Sequence, residues 1–115
     1  MLKEADFKHV YIRCGRTDLR RGIDGLAEII QNDLGLNPFE EGSLFLFCGT
    51  RADRMKALIY EGDGFLLLYK RVACGRFQWP RTPQEVRDLS PEDFHRLLDG
   101  FSIEKKIELY TPTML

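Results

Sequence analysis

No Cys-x-x-Cys pair occurs in this chain, and its three cysteines, Cys14, Cys48 and Cys74, are an odd number. Neither a disulfide framework nor a paired zinc knuckle is therefore expected, and a reducing compartment fits best. Histidine is scarce as well. His9 and His95 lie far apart, without a second histidine or a cysteine at ligand spacing, so no metal and no cofactor are expected. No apolar run approaches the length of a membrane span, and the start "MLKEADFKHVYIRC" lacks the long apolar stretch of a secretory signal. The expected location is the cytoplasm, with no membrane partner. Net charge is nearly absent too: 17 Lys and Arg against 18 Asp and Glu leave −1 at pH 7. Any attraction to nucleic acid must come from a local patch.

What is present suits one folded domain. The 115 residues are 43% hydrophobic and 30% charged, enough for a modest single core spanning 1–115, with 101–115 as a flexible or strand-forming tail. "HVYIRC" is rich in β-branched and aromatic residues and ends at Gly15, which predicts a short strand and a turn. Ile23, Leu26, Ala27, Ile30 and Leu34 then form the stripe of an amphipathic helix that stops at Gly35, with Thr17 or Asp18 expected to cap it. "LFLFCG" is apolar on both pleat faces and belongs in the middle of a layer. "RMKALIYEGDGFLLLYKRV" predicts a hairpin closing on Glu61-Gly62-Asp63-Gly64, and "RFQWPR" a short edge strand ended by Pro80. "SPEDFHRLLDG" carries the marks of a helix, with Ser90 as cap, Pro91 in the first turn and Gly100 at the stop. The expected class is α+β: a small antiparallel meander of about four strands, with two main helices to one side.

Two stretches carry candidate chemistry. "CGRTDLRRGIDGL" is not a phosphate-cradling P-loop, because no Lys-Ser/Thr pair follows Gly15, and the dinucleotide fingerprint fails as well. What remains is a strand, a turn and a helix start bearing Arg16, Arg20 and Arg21, which could hold a backbone phosphate. The alternative is a salt-bridged helix start in which Asp18 and Asp24 neutralise these arginines. In "YKRVACGRFQWPR", Lys70, Arg71, Arg76 and Arg81 occur without an acid among them, interleaved with Tyr69, Phe77 and Trp79. Cations beside aromatic faces are the ingredients of a nucleic-acid surface, although core positions are expected for Phe77 and Trp79. Arg51, Arg54 and Lys56 of "RADRMK" extend that surface if their loop lies at the same sheet end. Cys14, Cys48 and Cys74 each precede a glycine at the end of an apolar run, and read as small apolar fillers beside chain reversals. No nucleophile stands at a recognised spacing from a base. A metal-dependent nuclease would need a carboxylate cluster, for which Asp18, Asp24 and Asp63 are the candidates, but aspartates in turns commonly serve the local backbone.

Several of these motifs together resemble a known family. Thr17-Asp18-Leu19-Arg20-Arg21-Gly22-Ile23-Asp24-Gly25-Leu26, Leu34 to Phe39, Arg54 to Lys56, Gly62-Asp63-Gly64-Phe65, Tyr69-Lys70-Arg71 and Gly75 to Pro80 occur in one order. The chain is similar, over about residues 9 to 100, to the small accessory proteins (TnpB or Orf2-like) of the insertion sequence 66 family of bacterial mobile elements. These are distinct from the RNA-guided nuclease that shares the TnpB name. The resemblance weakens in "SIEKKIELYTPTML", and Cys48 and Cys74 are not part of the pattern. It implies a non-catalytic protein that is encoded beside a separate, larger transposase and assists transposition. The expected partners are DNA and that transposase, and a second accessory subunit is the further candidate. Charge reading, rather than the family, nominates Arg16, Arg20, Arg21, Arg51, Arg54, Lys70, Arg71, Arg76 and Arg81 as the DNA contacts. The alternative is a protein-interaction module that uses a strand edge and aromatic surface without binding DNA on its own.

Overall fold

Residues 2–82 and 85–103 are described by the computed structural model. The elements are β1 (His9–Arg13), α1 (Ile23–Glu28) running into a π-helical turn (Ile29–Asp33), β2 (Ser43–Cys48), β3 (Arg54–Tyr60), β4 (Phe65–Arg71), β5 (Val86–Asp88) and α2 (Pro91–Leu98). They form one five-stranded sheet in the order β4-β3-β2-β1-β5. Its central strand is "SLFLFC", and all six of its residues are buried, as a strand apolar on both faces requires.

The class is α+β, but the sheet is not the four-stranded antiparallel meander expected from the sequence. β1 and β2 run parallel, with Val10 opposite Leu44 and Tyr11 opposite Phe45. The reason is the connection: α1 lies between them, and a helical crossover returns the chain to the same end of the sheet. β5 then adds an antiparallel edge beside β1, pairing Ile12 with Arg87. The helices also lie on opposite faces rather than on one. Leu44, Leu46 and Cys48 point into a core shared with Phe94 and Leu97 of α2. Phe45 and Phe47, alternating with them, meet Leu26, Ile29 and Ile30 of the first helix and its π-turn.

The helical stripe predicted from Ile23 to Leu34 does face this second core, but its start differs. Gly22 is the N-cap, with no side-chain bond. Thr17 is buried, and its N–H donates to the Cys48 carbonyl at 2.7 Å; Asp18 is occupied with Arg20. In the last turn the Leu34 N–H reaches the Ile29 carbonyl at 3.0 Å. α2 follows its sequence marks closely: the Ser90 hydroxyl accepts from the Asp93 N–H at 3.1 Å, and Glu92 and Asp93 lie in the positive first turn.

The hairpin forms as predicted. Tyr60 pairs with Phe65, and the Glu61 N–H donates to the Gly64 carbonyl at 2.8 Å. Gly62 sits at φ +94°, a conformation that would strain any other residue in this turn.

"RFQWPR" is not a strand. Its polar groups are spent across the ends of the sheet instead: the Phe77 N–H donates to the Ala52 carbonyl, the Gly15 N–H to the Pro80 carbonyl and the Trp79 indole to the Arg13 carbonyl at 2.9 Å. Phe77 and Trp79 are core residues, as expected. Cys14 and Cys48 are the buried fillers predicted, and burial pushes the Cys48 thiol up to about 11; Cys74, by contrast, is exposed. In the tail, Phe101 to Ile103 are described, with Ile103 buried in the α2-side core; the predicted final strand "IEKKIELY" lies outside the described residues.

Candidate nucleic-acid interface

An open groove of about 680 Å³ lies on the α1 side of the sheet, beyond the Leu58, Phe65 and Leu67 contacts of the first helix, at the Arg54–Lys56 end of β3 and the Tyr69 end of β4. Strand alternation builds it. Arg54 and Lys56 are two apart on β3 and share a face, and the hairpin register sets Lys56 opposite Tyr69. Leu67 and Leu19 supply an apolar floor, while Arg51 and Arg20 enter from two loops. Four cations thus meet one carboxylate, that of Asp18, in the groove lining.

Close backbone packing holds those loops in place. Gly49, at the end of β2, lets Leu19 approach so closely that an added Cβ would stand 3.1 Å from its side chain. Thr17 is held by its backbone bond to Cys48 and by Arg13, whose Nη1 donates to its hydroxyl at 3.2 Å. The Arg13 Nη2 lies 3.6 Å from the Asp33 carboxylate. Arg13 was not singled out from the sequence, because nothing there shows a strand-end arginine turning inward to pin a loop. Lys56 Nζ donates to the Arg21 carbonyl at 2.8 Å, so it is positioned without losing its charge.

The cations differ in how free they are. Arg20 is bound at both ends of its guanidinium by Asp18, with Nε and Nη2 contacts of 3.0 and 2.9 Å. The Asp18 carboxyl is held down to about 2, first by that guanidinium and then by the Arg20 N–H. The salt-bridged alternative therefore describes Arg20. Arg54 Nε lies 3.2 Å from Asp53. Among the described residues, Arg51 and Arg71 have no ion pair.

The nine predicted contacts do not form one surface. Arg20, Arg51 and Arg54 come together in the groove, with Arg71 beside it as the cross-strand partner of Arg54. Arg16 and Arg21 line an adjoining concavity of about 270 Å³ with Arg13, Glu28 and Asp33, which shares Thr17 and Asp18 with the groove. Arg21 immediately precedes the N-cap Gly22, whereas Arg16 lies further back in the loop. Lys70 projects from the opposite face of β4 to Tyr69 and Arg71. Arg76 and Arg81 line a third concavity of about 340 Å³ with Gln78. The cations of "RADRMK" line the groove with the opening loop and Tyr69, while Ala52 of the same segment lines the concavity of Arg76 and Arg81 and accepts from the Phe77 N–H. Lys56 and Tyr69 belong to the candidate surface expected from the sequence but not to its nine named contacts, and the hairpin register pairs them directly. Among the described residues, no three His, Cys, Asp or Glu side chains gather to hold a metal ion, and Asp18, Asp24 and Asp63 form no such group. No described helix is long and apolar enough to cross a membrane.

Fold and surface together define a small single-sheet α+β domain with a cationic groove on its less covered face. The chain belongs to the IS66 Orf2-like family, whose pattern it matches over residues 8–108. That match extends past Gly100 into the tail. The chain is 35% identical over 113 residues to the uncharacterized protein y4hO of Sinorhizobium fredii (strain NBRC 101917 / NGR234), covering 98% of this chain and 97% of the relative. It is 32% identical over 83 residues to the uncharacterized protein y4jC of the same strain, covering 72% and 70%. No solved structure matches significantly. Membership makes this an insertion-sequence-associated protein.

Proposed function

We propose that this protein assists transposition, without catalysis of its own, by contacting DNA phosphates through Arg51, Arg54 and Lys56 of the groove, with Arg20 held beside them by Asp18, while the separate transposase performs the chemistry. The observation that carries this reading is the convergence of four cations from three segments on one concave surface of a chain with no net positive charge. The register adds support. Arg54 and Arg71 are direct cross-strand partners, and like charges placed opposite each other cost stability that a bound polyanion would recover.

Fluorescence anisotropy with labelled DNA across a salt series tests it. Three phosphate contacts give a log–log salt slope of about −2.1 on a single strand and about −2.7 on a duplex, so affinity should fall roughly 20- to 40-fold between about 50 and 200 mM salt. Arg51→Glu with Lys56→Glu should abolish that binding, and Arg76→Glu with Arg81→Glu should leave most of it. Absence of binding at low salt would overturn the proposal.

A second reading has its own observation. β4 is an edge strand with no described neighbour beyond β3, and at its hairpin end Phe39, Tyr60 and Phe65 form an aromatic trio with centroids 5.0–5.3 Å apart, Phe39 being 54% exposed. An open edge beside an aromatic patch suits contact with the transposase or another accessory subunit. Such an interface would survive the same salt series largely unchanged.

A further inference from the structure

We infer that the groove takes single-stranded DNA, with one unpaired base stacked on Tyr69 and its flanking phosphates on Arg51, Arg54 and Lys56. This rests on the DNA-contact reading above and names the form of DNA that the site selects.

Tyr69 is the reason. It is 55% exposed on the groove wall, and its cross-strand partner is Lys56 rather than another ring. The contrast with the far end of the same hairpin is direct: Phe39, Tyr60 and Phe65 satisfy one another by ring contacts. Among the described residues, no ring packs on Tyr69 and no group hydrogen-bonds its hydroxyl. A large apolar face is therefore left open between cations, above the half-buried Leu19 and Leu67.

Duplex DNA has its bases stacked inside and would offer this groove only phosphates, leaving the tyrosine face and the leucine floor unused. An unpaired nucleotide uses all three features, because every base has a π-face and every linkage a charge. At about 680 Å³ the open groove has room for one base laid on the Tyr69 ring. Asparagine and glutamine, the usual readers of adenine edges, do not line the groove, Arg51, Arg54 and Lys56 are assigned to phosphates, and Asp18 is already committed to Arg20. Recognition should be tolerant of sequence.

The test uses the full chain and anisotropy at about 50 mM salt, with a labelled thymidine oligomer of about 15 nucleotides and a duplex of equal length. The single strand should bind at least about fivefold more tightly than the duplex. Tyr69→Leu should weaken single-strand binding about tenfold and leave duplex binding unchanged, whereas Tyr69→Phe, which keeps the ring, should retain both. Equal binding of the two forms with no effect of Tyr69→Leu would overturn this inference while leaving DNA contact standing. No binding of either form would remove both. Tighter binding of a uridine RNA oligomer of the same length would also overturn it, since the site would then be one for RNA.

Discussion

The two faces of the sheet are finished differently. On the α2 side, fourteen of the described residues form a continuous buried core, because the segment carrying Phe77 and Trp79 folds back under the sheet and α2 closes over it. On the α1 side six buried residues gather among those described, since a six-residue helix and one π-turn close over the middle of the sheet as far as Leu58, Phe65 and Leu67 but leave Arg54, Lys56 and Tyr69 outside that cluster. The cationic groove occupies what the short helix leaves open. Stability is concentrated on one face, and the other can carry exposed charge and an unpaired tyrosine at little cost to the core.

Substitutions can separate those roles. The largest expected effect is on the closed face: Trp79→Ala should lower unfolding free energy by about 4 kcal/mol, combining a cavity with loss of the indole bond to Arg13. Leu26→Ala, on the thinner core, should cost about 3 kcal/mol, because an open neighbourhood relaxes more readily. Urea denaturation of the two variants checks the order, and a larger loss for Leu26→Ala would break the comparison. Arg71→Glu should act with opposite signs on the two properties. It replaces a like-charge pair with Arg54 by an attractive one, raising stability by about 0.5 kcal/mol, while DNA affinity falls about fivefold. Paired denaturation and anisotropy measurements would show it.

The smallest effect concerns Asp18. Its carboxyl is depressed by Arg20, so the stabilising pair is complete above the ordinary value of 3.8 and is lost as pH falls through about 2. Between about pH 5 and pH 8 this pair should therefore add no pH dependence to binding. Asp18→Asn keeps the acceptor for the Arg20 N–H but frees the guanidinium, and should raise DNA affinity about threefold, read by anisotropy at neutral pH.

Much of the scaffold was legible in the residues. β2 declared its central position by being apolar on both faces, α2 by Ser90-Pro91 and Gly100, and the hairpin by its glycines. Order within the sheet was harder. A strand, a helix and a strand in succession already imply the parallel β1–β2 pair, but the long antiparallel hairpin that follows drew the expectation toward a meander. β5 is three residues long and has no alternation to detect. The site was legible only in parts. Clusters of arginine are visible in the chain, but which of them share a surface depends on loops pinned by Gly49, Thr17 and Arg13, contacts between segments that no local pattern reports. Arg76 and Arg81 illustrate the limit. They adjoin Tyr69 and Lys70 in sequence, yet the chain turns at Gly75 and carries them to another concavity.

The most direct measurement is a two-dimensional amide NMR titration of the isotope-labelled protein with a short DNA strand. Perturbations concentrated at residues 17–20, 49–56 and 67–71, saturating together, are the predicted result. Shifts confined to 76–81, or to Phe39, Tyr60 and Phe65, would contradict the assignment of the groove as the DNA-contacting surface.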